Sequence, residues 1–166
     1  MPASREVLLQ RLLTLGLSTT THDHPAVFTV DEAKQVHDGI TGGHCKNLFC
    51  KDEKAALWLI VALEDSVINL KTAPGKIGSR RLSFGKPDLL MQILGVEPGS
   101  VTPFGLINDE AAEVNVILDE AMMAHEILNF HPLRNDATTS ITSKDLVKFI
   151  VACGHSPRIV AVSDPL

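Results

Sequence analysis

Gly43-His44-Cys45-Lys46-Asn47-Leu48-Phe49-Cys50-Lys51-Asp52 is followed, after Glu53 and Lys54, by Ala55-Ala56-Leu57-Trp58-Leu59-Ile60-Val61. The two runs read as paired strands, near 44–50 and 55–62, joined by the charged turn Lys51–Lys54. Alternation in the first strand sends Cys45, Asn47 and Phe49 to one face and Lys46, Leu48 and Cys50 to the other. A lysine is thereby set among apolar neighbours. Its stem can lie along apolar surface while its ammonium reaches solvent. Alternatively, the ammonium can sit at the floor of a pocket and hold an anionic or strongly polar ligand.

On the N-terminal side, Ser4 caps a helix with Val7, Leu8, Leu12 and Leu15 at helical spacing and Gly16 as its stop. Ser18 to His24 is rich in threonine and ends at Pro25, as a strand does. Thr29-Val30-Asp31-Glu32 fits a capping box that opens a short helix to about Asp38. On the C-terminal side, Lys86-Pro87 starts a helix over Asp88–Leu94, ended by Gly95. Val101–Leu106, Val114–Leu118, Ile127–Phe130 and Thr138–Ile141 read as strands. Ser143 caps a last helix, Lys144–Ala152, and Ile159–Val162 closes the chain. Runs of strands with separated helices predict the α+β class: a single domain over 1–166, its mixed or mostly antiparallel sheet flanked by helices. Clean βαβ alternation is missing, which speaks against a doubly wound sheet.

The 166 residues are 45% hydrophobic and 21% charged, the composition of an ordinary globular core and surface. The longest apolar run, Ala55–Leu63, is too short to span a bilayer, so no membrane association is expected. Met1–Glu6 has no basic stretch leading into an apolar core, and three cysteines without framework spacing suit a reducing compartment; the expected location is the cytoplasm. A net charge of −5 argues against a general nucleic-acid binder, and DNA is not an expected partner. The charge is unevenly spread, however. Ser66–Pro87 holds Lys71, Lys76, Arg80, Arg81 and Lys86 and no acidic residue. Such a segment can hold a phosphate backbone locally while the acidic remainder repels it, or it can simply be a solvated loop.

Several chemistries are set aside on spacing. Gly75-Lys76 and Gly85-Lys86 lack the upstream glycine and the following Ser/Thr of a phosphate loop. His22 and His24 share a strand face, but no cysteine pair has zinc spacing, so no metal is expected. Cys45 lies beside Lys46 and His44, yet neighbours along a strand point apart, which favours a structural thiol over an activated one. The turn Gly99-Ser100-Val101-Thr102-Pro103 has backbone constrained at both ends; the N–H groups of Ser100, Val101 and Thr102 can face a carbonyl or carboxylate oxygen, or the turn can be a plain connector. His131, before Pro132, sits at a strand end, where sites gather.

Lys46-Asn47-Leu48-Phe49 with its charged turn and hydrophobic strand, Gly99-x-x-x-Pro103, and Phe130-His131-Pro132-Leu133-Arg134-Asn135 occur in the order found in the YbaK/ProX family. These are the aminoacyl-tRNA editing domains related to the insertion domain of bacterial prolyl-tRNA synthetase. The chain resembles this family over nearly its whole length, and most of all the ProX subgroup, which deacylates mischarged alanyl-tRNA(Pro).

The resemblance implies hydrolysis of the ester between an amino acid and the terminal adenosine of tRNA(Pro), without a cofactor. It implies that Lys46 anchors the acceptor end or polarises the ester, and that the Gly99–Pro103 turn (Gly99, Ser100, Val101, Thr102, Pro103) holds the amino-acid end. Asn47 and His131 would line the pocket, with Val101 and Phe104 as walls. Lys71, Lys76, Arg80 and Arg81 would contact the tRNA acceptor stem, and prolyl-tRNA synthetase would be a transient partner. Cysteinyl- or seryl-tRNA as substrate, a non-catalytic module for aminoacyl or nucleotide ends of RNA, and a cysteine hydrolase built on Cys45 are the alternatives.

Overall fold

The computed structural model of the chain describes residues 1–26, 31, 32, 35 and 39–165. Eight strands form one sheet: β1 (Thr19–Asp23), β2 (Gly43–Asp52), β3 (Leu57–Leu63), β4 (Leu82–Phe84), β5 (Val114–Asp119), β6 (Ile127–Phe130), β7 (Ala137–Thr142) and β8 (Arg158–Val160). Their order is β1-β7-β6-β2-β3-β5-β8, with β4 added alongside β2. β1–β7, β6–β7, β2–β3 and β2–β4 pair antiparallel, whereas β2–β6, β3–β5 and β5–β8 pair parallel. The sheet is therefore mixed and flanked by helices, as expected for this α+β chain.

β3 sits in the middle of this order and has both faces covered, which is why Leu57–Leu63 is a continuous apolar run. Leu57, Leu59 and Val61 enter the larger core. That core also takes Leu8 and Leu12 from helix α1 (Arg5–Thr14), Leu90, Ile93 and Leu94 from α3 (Pro87–Leu94), and Phe149 and Ile150 from α5 (Ser143–Ala152). Trp58 and Ile60 point the other way. They pack with Cys50, Ile117, Leu82 and Val162, and with Ala73 and Ile77 of the short helix α2 (Ala73–Ile77). A one-turn helix α4 (Glu120–Met123) follows β5. No described helix is long and apolar enough to cross a membrane.

Helix ends follow the local chemistry. The Ser4 hydroxyl accepts the Val7 N–H at the start of α1, but of the expected stripe only Leu8 and Leu12 are buried; Val7 and Leu15 are exposed. Thr142, one residue before the expected cap, accepts the Asp145 N–H and opens α5. Gly95 takes φ 68° to close α3. The predicted helix from Thr29 to Asp38 lies mostly outside the described residues; Asp31, Glu32 and Gln35 are helical.

One element is corrected. Val101–Leu106 is not a strand. Thr102 is extended and its hydroxyl accepts the Phe104 N–H, and Pro103–Asn108 winds into a 3-10 turn. Pro103 has no N–H for a ladder, and the threonine side chain offers the backbone a turn instead. Phe104 is consequently fully buried, edge-on to Phe130 and Phe149, and is a core residue rather than a pocket wall.

Asp52 organises the turn between β2 and β3. Its Oδ1 accepts the N–H of Lys54 (2.9 Å) and Ala56 (3.0 Å), and its Oδ2 accepts Trp58 Nε1–H (3.1 Å) and the Arg80 N–H (3.3 Å). Burial alone would raise this carboxyl, but the four donors hold it below the usual carboxylate range. A depressed folded pKa adds stability that is full above the unfolded value of about 3.9 and lost as pH falls through the folded value. Asp52→Asn would turn an amide N–H toward two donors and should cost about 1–3 kcal/mol. The difference should shrink as pH drops below about 4. Urea unfolding followed by fluorescence of Trp58, the single tryptophan, measures it; equal midpoints at pH 7 would contradict the assignment.

Candidate active site at the open edge of β2

β2 is longer than any single partner on one of its edges. Along one side it pairs with β3 from Cys45, opposite Leu63, to Lys51, opposite Leu57. On the other side, β6 takes only Gly43 and His44, and β4 takes only Cys50 to Asp52, with the Gly85 N–H reaching Phe49 O. No described strand covers Cys45 to Leu48 on that edge. The opening is about 13 Å long at strand rise, and it falls on the Lys46-Asn47 pair.

A small cavity, about 30 Å³, occupies the place where β2 parts from β6. It is lined by His44, Cys45, Asn47, Asn129, Phe130, His131 and Thr138. The Asn47 Oδ1 is buried there with no hydrogen-bond partner among the described residues. Its neighbours are already fixed. Asn129 Nδ2 donates to the carbonyls of Thr41 and Gly43, and its Oδ1 accepts the Ser140 hydroxyl. The His131 Nδ1 lies 2.9 Å from Ala137 O, a carbonyl, so Nδ1 is the donor of that bond. By the same logic His24 donates from Nδ1 to Pro25 O, and its Nε2 shares a hydrogen bond with the Thr138 hydroxyl. The two imidazole rings stand 6.4 Å apart.

Lys46 is on the opposite face. Its ammonium donates to Ser66 O, at the rim of a cleft of about 350 Å³ lined by Gly42, Gly43, His44, Leu63, Glu64, Asp65, Ser66 and His125. His44 borders both spaces. The two motif residues therefore flank the strand rather than share a pocket, and the open edge is where the two faces meet.

The Gly99–Pro103 turn adjoins the loop after His131: a side chain at Gly99 would come within 3.4 Å of Asn135 Nδ2. Ser100, Thr102 and Pro103 are buried and Val101 is partly buried against the larger core. The Ser100 N–H is bonded to Glu97 O, so it is not among the donors expected to be available. The basic segment packs over the second face, the side of Lys46. Lys71, Arg80 and Arg81 are exposed, whereas Lys76 is held by Val162 O and by Asp164 at 3.2 Å.

Other chemistries find little support. Burial pushes the Cys45 thiol up to about 12, so at neutral pH it is protonated and a poor nucleophile. Among the described residues there is no cluster of three side chains able to hold a metal. A wider cleft, about 460 Å³ between Met1, Met91 and Asn108, contains none of the motif residues. Asn129, Thr138 and His24 join the site without having been expected there. A signal for Asn129 exists: it is the lone polar residue in the apolar strand Ile127–Phe130, two positions before His131.

The model of the aminoacyl-tRNA editing domain matches residues 24–149. The prolyl-tRNA editing protein ProX of Acetoanaerobium sticklandii is 35% identical over 158 residues, 95% of this chain and 96% of that one. Prolyl-tRNA synthetase associated domain-containing protein 1 of Mus musculus is 38% identical over 162 residues, 94% and 95% of the two chains. A crystal structure of a candidate trans-editing enzyme for prolyl tRNA synthetase superposes with a TM-score of 0.73 at 20% identity, covering 98% of this chain and 99% of that chain, a likeness of fold. On the family match and these relatives, the chain belongs to the aminoacyl-tRNA editing domain family.

Proposed function

We infer that this protein hydrolyses the ester of mischarged tRNA(Pro), and that alanyl-tRNA(Pro) is its substrate. The observation that carries the reading is the Asn47 Oδ1, buried without a partner among the described residues at the open edge of β2, with Lys46 on the far side of the same strand. A buried acceptor without a donor costs free energy that a bound donor recovers. The α-ammonium of an aminoacyl ester is such a donor. Lys46 keeps one N–H on Ser66 O and has two more to offer the terminal phosphate or the developing oxyanion.

The chemistry asks for little else. The ester is activated, and the adjacent ribose hydroxyl helps to orient or deprotonate water, so positioning and charge stabilisation carry the reaction. His131 borders the cavity, its ring held by the Ala137 carbonyl, and helps to shape the place of that water. The Gly99–Pro103 turn lies beside the loop after His131, close to Asn135, and holds the amino-acid end in this reading. Lys71, Arg80 and Arg81 hold the acceptor stem; Lys76, committed to the C-terminal segment, contributes less. Prolyl-tRNA synthetase is a transient partner in the same reading, as the source of the mischarged tRNA.

Size supports alanine. The cavity, about 30 Å³, is narrow, and a methyl side chain suits it better than a pyrrolidine ring does. A missing methylene is worth only about 1–3 kcal/mol in a synthetase pocket, so a second sieve is needed to remove the smaller residue.

Lys46→Ala should lower kcat for deacylation by about 10²–10³ while the fold persists. Lys46→Arg should fail as well, because a planar fork does not replace a compact ammonium beside the Ser66 carbonyl. Single-turnover hydrolysis of alanyl-tRNA(Pro) measures both; near-normal turnover in Lys46→Ala would remove the lysine from the mechanism.

Initial rates on matched tRNA(Pro) charged with alanine, serine, cysteine or proline should fall in the order alanine, then serine, then proline. Serine is only a hydroxyl larger than alanine and is excluded less completely than the ring. Faster cleavage of prolyl- or cysteinyl-tRNA would sink the alanine assignment. Binding without hydrolysis of any ester would indicate a non-catalytic RNA module.

A further inference from the structure

Among the described aromatic residues, Phe49, Trp58, Phe104 and Phe130 are buried, as is Phe149, and Phe84 alone is exposed, at 63%. It sits at the end of β4, opposite Cys50. Directly opposed residues of an antiparallel pair put their side chains on one face. Phe84 therefore belongs to the face of Cys50, Leu48 and Lys46. It is also in the acid-free segment. Arg80 and Arg81 precede it and Lys86 follows it; all three are exposed and none makes an ion pair with a described residue. Arg5, Lys76, Arg134 and Lys148, by contrast, are paired.

We propose that Phe84 is a stacking platform for an unpaired base of the tRNA 3′ end, with Arg80, Arg81 and Lys86 contacting the phosphates beside it. The proposal rests on the deacylase reading and adds to it the path by which the 3′ end reaches the ester site. An exposed ring flanked by unpaired cations is what sequence-tolerant binding of single-stranded nucleic acid requires: the cations track the backbone and the ring takes a base. The position fits the reach. From Cys50 to Lys46 along β2 is about 13 Å, a span within reach of the few unpaired nucleotides at a tRNA 3′ end. A base on Phe84 thus leaves the terminal adenosine at the open edge of β2.

The test is the affinity of wild type, Phe84→Ala and Phe84→Trp for uncharged tRNA(Pro), and for the same tRNA shortened by its unpaired 3′ nucleotides, by fluorescence anisotropy across a salt series. Phe84→Ala should weaken binding of the intact tRNA about 5- to 100-fold, and Phe84→Trp should restore it. The slope of log affinity against log salt should stay that of wild type in Phe84→Ala. Arg80→Ala with Arg81→Ala should instead flatten it by about 0.7–0.9 for each phosphate left without its cation. On the shortened tRNA the Phe84→Ala effect should disappear. Affinity of Phe84→Ala within twofold of wild type, or an equal weakening on both tRNAs, would overturn the proposal. Hydrolysis of alanyl-tRNA(Pro) by wild type, run in parallel, keeps the two claims apart. Normal hydrolysis with a silent Phe84→Ala sinks the platform alone, and an inactive wild type that still shows the 3′-end effect sinks the deacylase reading alone.

Discussion

The structure turns on a mismatch of lengths. β2 has ten residues, its partner β3 covers one edge, and the other edge is divided between β6 at one end and β4 at the other. Neither reaches Cys45–Leu48. An uncovered strand edge inside a sheet is ordinarily a liability, because it presents unpaired backbone groups. In the proposed reading it lets the ester approach a strand from the side and meet residues of both faces at once. Lys46 and Asn47 are adjacent in sequence and point apart, and only at such an edge can one ligand engage both.

That geometry explains the sparse chemistry. The site has no activated thiol, since burial keeps Cys45 protonated. It has a cation, a buried amide oxygen and an imidazole whose Nδ1 is held on a carbonyl. For an ester that is already activated, holding the reacting atoms in place and stabilising charge is a sufficient catalytic strategy. The substrate brings its own neighbouring hydroxyl, so the protein supplies position. The polar groups behind the cavity, Asn129 with Ser140 and Thr138 with His24, serve that end by fixing the strands around it.

Much of this is legible in the sequence. Alternation puts Lys46 and Asn47 on opposite faces, the apolar run of β3 marks a strand buried on both sides, and Ser4 and Gly95 mark helix ends. The features that are not legible depend on long-range pairing. Val101–Leu106 has the composition of a strand, but Thr102 and Pro103 together favour a turn. β4 is three residues long and gains its place from β2 and from the Asp52 bond to Arg80. Lys76 resembles its basic neighbours until the chain end brings Asp164 to it, 88 positions away. The motif lysine is readable as a residue of interest, while the partner of its ammonium, Ser66 O, belongs to a turn that carries no sequence mark.

The most direct measurement is nuclear magnetic resonance of the protein titrated with a non-hydrolysable, amide-linked alanyl-adenosine. The account predicts that the side-chain amide of Asn47 and the backbone amides of Cys45–Leu48 and His131 shift together, with the Asn47 amide among the largest changes. Shifts gathered instead around the cleft between Met1, Met91 and Asn108, with the Asn47 amide unmoved, would contradict it.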